Sequence, residues 1–292
     1  MRFGGNASEG LLTTTAVVFA AGFVLHCLVW AVLGGSWQGE VSWRKPILFC
    51  LASGVTCVSL AWVLGQLRPS RHDLLVTRLF AVSIVTEVAL ICLQQWRGVP
   101  SHFNRSTPQD AAILFAIKTT ALALSVYIWW LTWRCLRARF ARPDLGVAIR
   151  FGMGLLALSC LLGFWIEWVG ESQVQLGRPP YTYGEAGVLK FAHGMPMHAI
   201  QFLPLLASVL GWLGLPARSR HGCVWLAALG LVGHSAFALW QTLRGRSRLD
   251  VDWFSGSLLL LSTLALTWPL VFAVWRRTRA SAGSQPTANS RG

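Results

Sequence analysis

Eight stretches of this chain, residues 11–33, 46–67, 77–96, 109–136, 147–169, 187–213, 221–243 and 254–275, are long and almost continuously apolar. A helix needs about 20 such residues to cross the hydrocarbon core of a bilayer, so each run is long enough to be a span. Lipid offers no water to the backbone, and runs of this length satisfy their peptide groups internally as helices. The links between them are too short to hold a soluble domain. The expected fold is all-α, a polytopic integral membrane helical bundle of about eight transmembrane helices. Residues 1–275 would form that single bundle, and the Ser-rich, basic stretch 276–292 would be a disordered tail. Only 12% of the residues are charged, about half the fraction usual in a soluble domain. The first run follows a single Arg2, exceeds a signal-peptide core and lacks a clear cleavage site, so it counts as a span.

The net charge of +14 does not point to nucleic acid, because the basic residues sit where spans end. With the amino terminus inside, the inner segments gather Arg68, Arg71 and Arg78, then Arg134, Arg137, Arg139, Arg142 and Arg150, and finally Arg276, Arg277 and Arg279. The outer loops hold fewer, so both termini are expected on the cytoplasmic side. The partners implied are the lipid bilayer and a small-molecule ligand entering from outside. The seven cysteines form no C-x-x-C pair and no haem-attachment motif, and read as small apolar packers. No nucleotide-binding loop, H-E-x-x-H or G-x-S-x-G motif is present.

Ionisable side chains cost several kcal/mol at the centre of a bilayer, so each one inside a span is a functional candidate. The antiparallel order of spans assigns each a depth. His26 falls in the outer half of span one. Glu87 lies about 13 Å below the outer end of span three at 1.5 Å per residue, with Gln94 on the same face. Lys118 enters span four to a similar depth. Glu167 and Glu171 close span five, His193, His198 and Gln201 open span six, and His234 lies mid-way along span seven. The polar residues therefore gather in the outer half on several helices. Structural readings stand beside the functional ones. Glu87 and Lys118 would neutralise each other as an ion pair, Lys118 would snorkel, and His26 and His234 would each bond a neighbouring carbonyl.

The sixth run contains "KFAHGMPMHAIQFLPLL", in which Pro196 removes a backbone hydrogen bond and predicts a kink between His193 and His198. Histidine in an apolar bundle suits haem b, a metal ion or a quinone carbonyl. The spacing of five between the two histidines is not a standard zinc spacing, so a metal on His193 or His198 is a weak reading. The link "RGVPSHFNRSTPQD" divides in two. Thr107, Pro108 and Asp110 have the pattern of a helix cap, while Arg97, His102 and Asn104 are candidates for contacting a ligand at the mouth of the bundle.

Three stretches, "WRKP" at 43–46, "RGVPSHFNRSTPQDA" at 97–111 and "AHGMPMHAIQFLPLL" at 192–206, resemble a family of uncharacterised bacterial multi-pass inner-membrane proteins. Its members carry W-x-K-P, R-G-x-x-S-H-F-N-x-x-T-P-x-D and A-H-x-x-x-x-H-A-x-Q-x-L-P. The resemblance covers roughly residues 43–206 and implies a bacterial inner-membrane location, with no activity attached. Similar proteins have an Asp and an Arg just before the first helical histidine; here Val188 and Lys190 stand there. All three stretches fall on the expected outer side.

Three functions compete. In the first, His26, His193, His198 or His234 holds a redox cofactor, haem or quinone, with Glu87 and Lys118 as charge or proton partners. In the second, a transporter or sensor draws a small polar or anionic solute towards Lys118, Arg97 and His102. In the third, a non-catalytic assembly subunit uses the polar cluster to fix helix packing. No reaction is indicated.

Overall fold

The computed structural model describes residues 6–283. It is almost wholly helical: α1 (Ala7–Leu33), α2 (Arg44–Gly65), α3 (Asp73–Trp96), α4 (Pro108–Arg137), α5 (Pro143–Gln175), α6 (Leu189–Met197), α7 (Ala199–Trp212), α8 (Ala217–Leu243) and α9 (Trp253–Gly283). Among the described residues eight spans are long and apolar enough to cross a membrane, α6 and α7 together making the sixth. The protein is an all-α polytopic membrane protein. The described residues divide into two compact units, one within residues 1–138 and 167–180, the other within residues 139–166 and 181–292. The expected tail is helical as far as Gly283, because α9 simply continues. The rest of it, residues 284–292, and Arg2 lie outside the described residues.

In the first unit α1 packs on α2 and α3, and α3 packs on α2 and α4. Local chemistry sets the helix ends. Asn6 caps α1 by accepting from the amide of Glu9 at 3.0 Å, and Gly34 stops it at φ 68°, a conformation that costs a residue without Cβ nothing. Thr107 caps α4 as the sequence predicts, with Pro108 in the first turn and the Asp110 amide donating to the Thr107 hydroxyl at 3.1 Å. Leu12, Cys57, Leu60, Ile91 and Leu131 are buried between the helices, whereas Val32 of α1 is 81% exposed, as a lipid-facing side chain should be. At the opposite end from that cap, Asp73 pairs with Arg134, whose guanidinium also donates to the Arg68 carbonyl at 2.7 Å.

In the second unit α8 packs on α6, α7 and α9 around Leu203, Ala207, Leu210, Val224, Ala228 and Ala273. Gly230 and Gly233 let α9 approach closely. A Cβ at Gly233 would stand 2.7 Å from that of Ser262, and one at Gly230 would stand 2.9 Å from the Ser262 carbonyl. Asp144 accepts from Arg142 at 2.6 Å and from Arg220 at 2.5 Å, tying the start of α5 to that of α8. The link before α6 holds a two-residue hairpin, Thr182–Tyr183 against Gly187–Val188.

Candidate functional site

The kink predicted in the sixth span is a break. Pro196 lies in the last turn of α6, His198 takes a non-helical conformation with ψ near 0°, and α7 starts afresh at Ala199. Gln201 closes the gap: with its amide nitrogen turned inward it donates to the carbonyls of Met197 at 3.3 Å and His198 at 3.0 Å. The break separates the two histidines in role. His198 is exposed at the discontinuity. His193 is clamped to α5, its Nδ1 donating to the Ser159 carbonyl at 2.8 Å while the Ser159 hydroxyl donates back to the His193 carbonyl at 2.8 Å. On α8, His234 donates from Nδ1 to the Gly230 carbonyl at 3.0 Å, and its Nε2 lies 3.3 Å from Thr263 Oγ1 of α9. His193 and His234 thus each join two helices within the second unit, and Gln201 bonds across the break.

The remaining candidates belong to the first unit. Lys118 does not pair with Glu87. Its ammonium lies 2.6 Å from a carboxylate oxygen of Glu167 and 2.6 Å from one of Glu171, and Arg105 reaches Glu171 at 2.9 Å. Two cations face two carboxylates, and the group is neutral as a whole. Glu87 is left with its Oε2 buried and without a hydrogen-bond partner among the described residues. Arg97 does not stand apart as a free lip residue. It donates to Asp110 at 2.7 Å and to Gln94 at 2.5 Å, and Gln94 donates to Asp110 at 3.1 Å, so the helix cap and the arginine form one network. Asn104 is buried and accepts from the Ser106 amide at 3.0 Å, folding the link locally. His102 is half-buried, 2.9 Å from the Ser101 hydroxyl and beside the Phe49 ring. Between them Phe103 holds a left-handed backbone, φ 57°, and its ring packs directly on Gly170 of α5. The "SHFN" stretch is therefore shaped by packing as well as by polarity.

One constellation brings metal-binding and redox-capable atoms together. His26 of α1, Cys50 of α2 and Cys92 of α3 each offer a ligand atom, and the three atoms lie within 4.8 Å of one another. At 1.5 Å per residue these positions sit about 6–10 Å below the helix ends, at similar depth. Gly22 prepares the place twice. Its carbonyl accepts from His26 Nδ1 at 2.7 Å, which leaves the lone pair on Nε2, and its missing Cβ lets Cys50 Sγ come to 3.1 Å from where one would be. The Trp96 indole donates to His26 Nε2 at 3.3 Å, and Trp43 closes on Trp96 edge-on with ring centroids 5.2 Å apart. His26 and Cys50 are buried and Cys92 is half-buried.

Cys50 and Cys92 are the residues missed in sequence, where no short spacing links them. Depth was the available signal: both fall near the same helix ends as His26. No protein-family model matches this chain, and neither the curated proteins nor the solved structures contain a match.

Proposed function

We propose that this is a membrane-embedded redox protein whose working group sits among α1, α2 and α3. The observation that carries the reading is the convergence of an imidazole and two thiols from three helices inside an apolar bundle. Two thiols at such a distance exchange two electrons as a dithiol–disulfide couple, or hold a redox-active ion as thiolates. The haem and quinone versions draw less support at His234, whose two ring nitrogens are both engaged. The transport reading is weaker too, since Lys118 and Arg97, two of the three groups that would attract an anion, each face a carboxylate. A bacterial inner-membrane location, with these helix ends facing outward, is part of the proposal and rests on sequence resemblance and arginine distribution.

The test counts alkylatable thiols and records absorption spectra on the full chain, purified in detergent under oxidant and under reductant. A change of two thiols mapped to Cys50 and Cys92, or an absorption band that moves on reduction, supports the reading. Identical thiol counts and spectra in the two states refute it.

A further inference from the structure

We infer that His26, Cys50 and Cys92 bind one copper(I) ion in a three-coordinate site. The inference rests on the redox reading above and names the occupant. Two sulfur donors and one imidazole form a soft ligand set, which selects copper(I) or zinc over hard cations. Ligand number separates those two. Among the described residues the cluster comprises these three donors. Zinc completes a tetrahedron with a fourth ligand, either protein or water. Water is poorly placed to supply it: Cys92 borders a face of α3 on which Leu93 and Trp96 are exposed, 44% and 54%, in a span long and apolar enough to cross a membrane. Lipid lies on that side, and Trp43 and Trp96 flank His26. Copper(I) is stable with three ligands and needs no water.

With both thiols ionised and a neutral imidazole, a monovalent ion leaves the site with a single negative charge. The ring is set for the task before any ion arrives. The bond from Nδ1 to the Gly22 carbonyl fixes the tautomer and aims the Nε2 lone pair, the outer-shell arrangement that metal-binding histidines commonly show. Binding would release the thiol protons and replace the long contact from the Trp96 indole.

The experiment uses the full chain in detergent, stripped with chelator and reduced. Copper(I) is titrated against a chromogenic copper(I) chelator, and wild-type protein is alkylated with and without one equivalent of the ion, the modified cysteines being read by mass spectrometry. The expected result is one equivalent withheld from the chelator, with Cys50 and Cys92 protected at least tenfold and Cys27 and Cys160 labelled as before. X-ray absorption should show two sulfurs and one nitrogen. His26→Ala, Cys50→Ser and Cys92→Ser should each lose the equivalent, and Cys57→Ser should keep it. The protection measurement needs no variant, so a misfolded variant leaves the test intact. Unprotected Cys50 and Cys92 overturn the inference, and so does preferential protection by zinc. If copper fails while the thiol count still changes by two between oxidised and reduced protein, the site is a dithiol couple and the redox reading survives. If both fail, both fall.

Discussion

Lys118→Met should destabilise the first unit by about 2 kcal/mol. The Lys118 ammonium is shared between Glu167 and Glu171 at 2.6 Å each. Glu171 keeps Arg105 when the lysine is removed, whereas Glu167 loses that counter-charge. Breaking a fully buried pair costs about 3–5 kcal/mol, and breaking an exposed one about 0–1 kcal/mol. Side-chain exposures of 31% for Lys118 and 26% for both glutamates place this network between those limits. The double variant Lys118→Met with Glu167→Gln removes the orphaned charge and should recover about half the loss. Thermal unfolding in matched detergent, followed by tryptophan fluorescence, reads both. A loss of about 2 kcal/mol corresponds to roughly 4–8 °C for folds of comparable size. The double-mutant cycle then isolates the coupling. A single variant within a degree of wild type, or a double variant no better than the single, would refute the claim that these charges are a structural network. If Lys118→Met left stability unchanged but abolished a solute-induced shift in melting temperature, the transport reading would take its place.

Three further outcomes follow from the geometry. Gly233→Val, which forces a Cβ into that of Ser262, should cost about 1–3 kcal/mol in the same melting assay, while Gly222→Ala, with open space around it, should be neutral. Asp144→Leu leaves the guanidinium of Arg220 without its carboxylate and should cost about 3 kcal/mol; equal stability to wild type would show that the tie between α5 and α8 contributes nothing. Asp252 ends the link before α9, where the Ser255 amide, the Ser255 hydroxyl and then Arg246 hold its carboxyl down at about 2. A carboxylate with a depressed folded value stabilises above its ordinary value near 3.9 and loses that contribution as pH falls through about 2. Amide exchange at residues 253–256 should therefore stay slow to about pH 4 and accelerate below it, and Asp252→Ala should erase that dependence.

The eight spans are legible in the amino-acid sequence alone. Span length and apolarity answer to bilayer thickness, a constraint each segment meets alone. The same holds of the Thr107 cap and the Pro196 discontinuity, because a cap and a missing amide act within one turn. Lateral pairing was not legible. Glu87 and Lys118 share a depth on consecutive spans, yet depth is one coordinate, and rotation of each helix sends Lys118 to α5 and leaves Glu87 apart. Arg97 and Asp110 looked like members of two devices in one link, and folding of the link made them one. His26 was legible as a buried polar residue, whereas Cys50 and Cys92 looked like packing. Only tertiary structure turned one atom from each of α1, α2 and α3 inward at a common depth, since the meeting of three helix faces depends on packing, which no local spacing encodes.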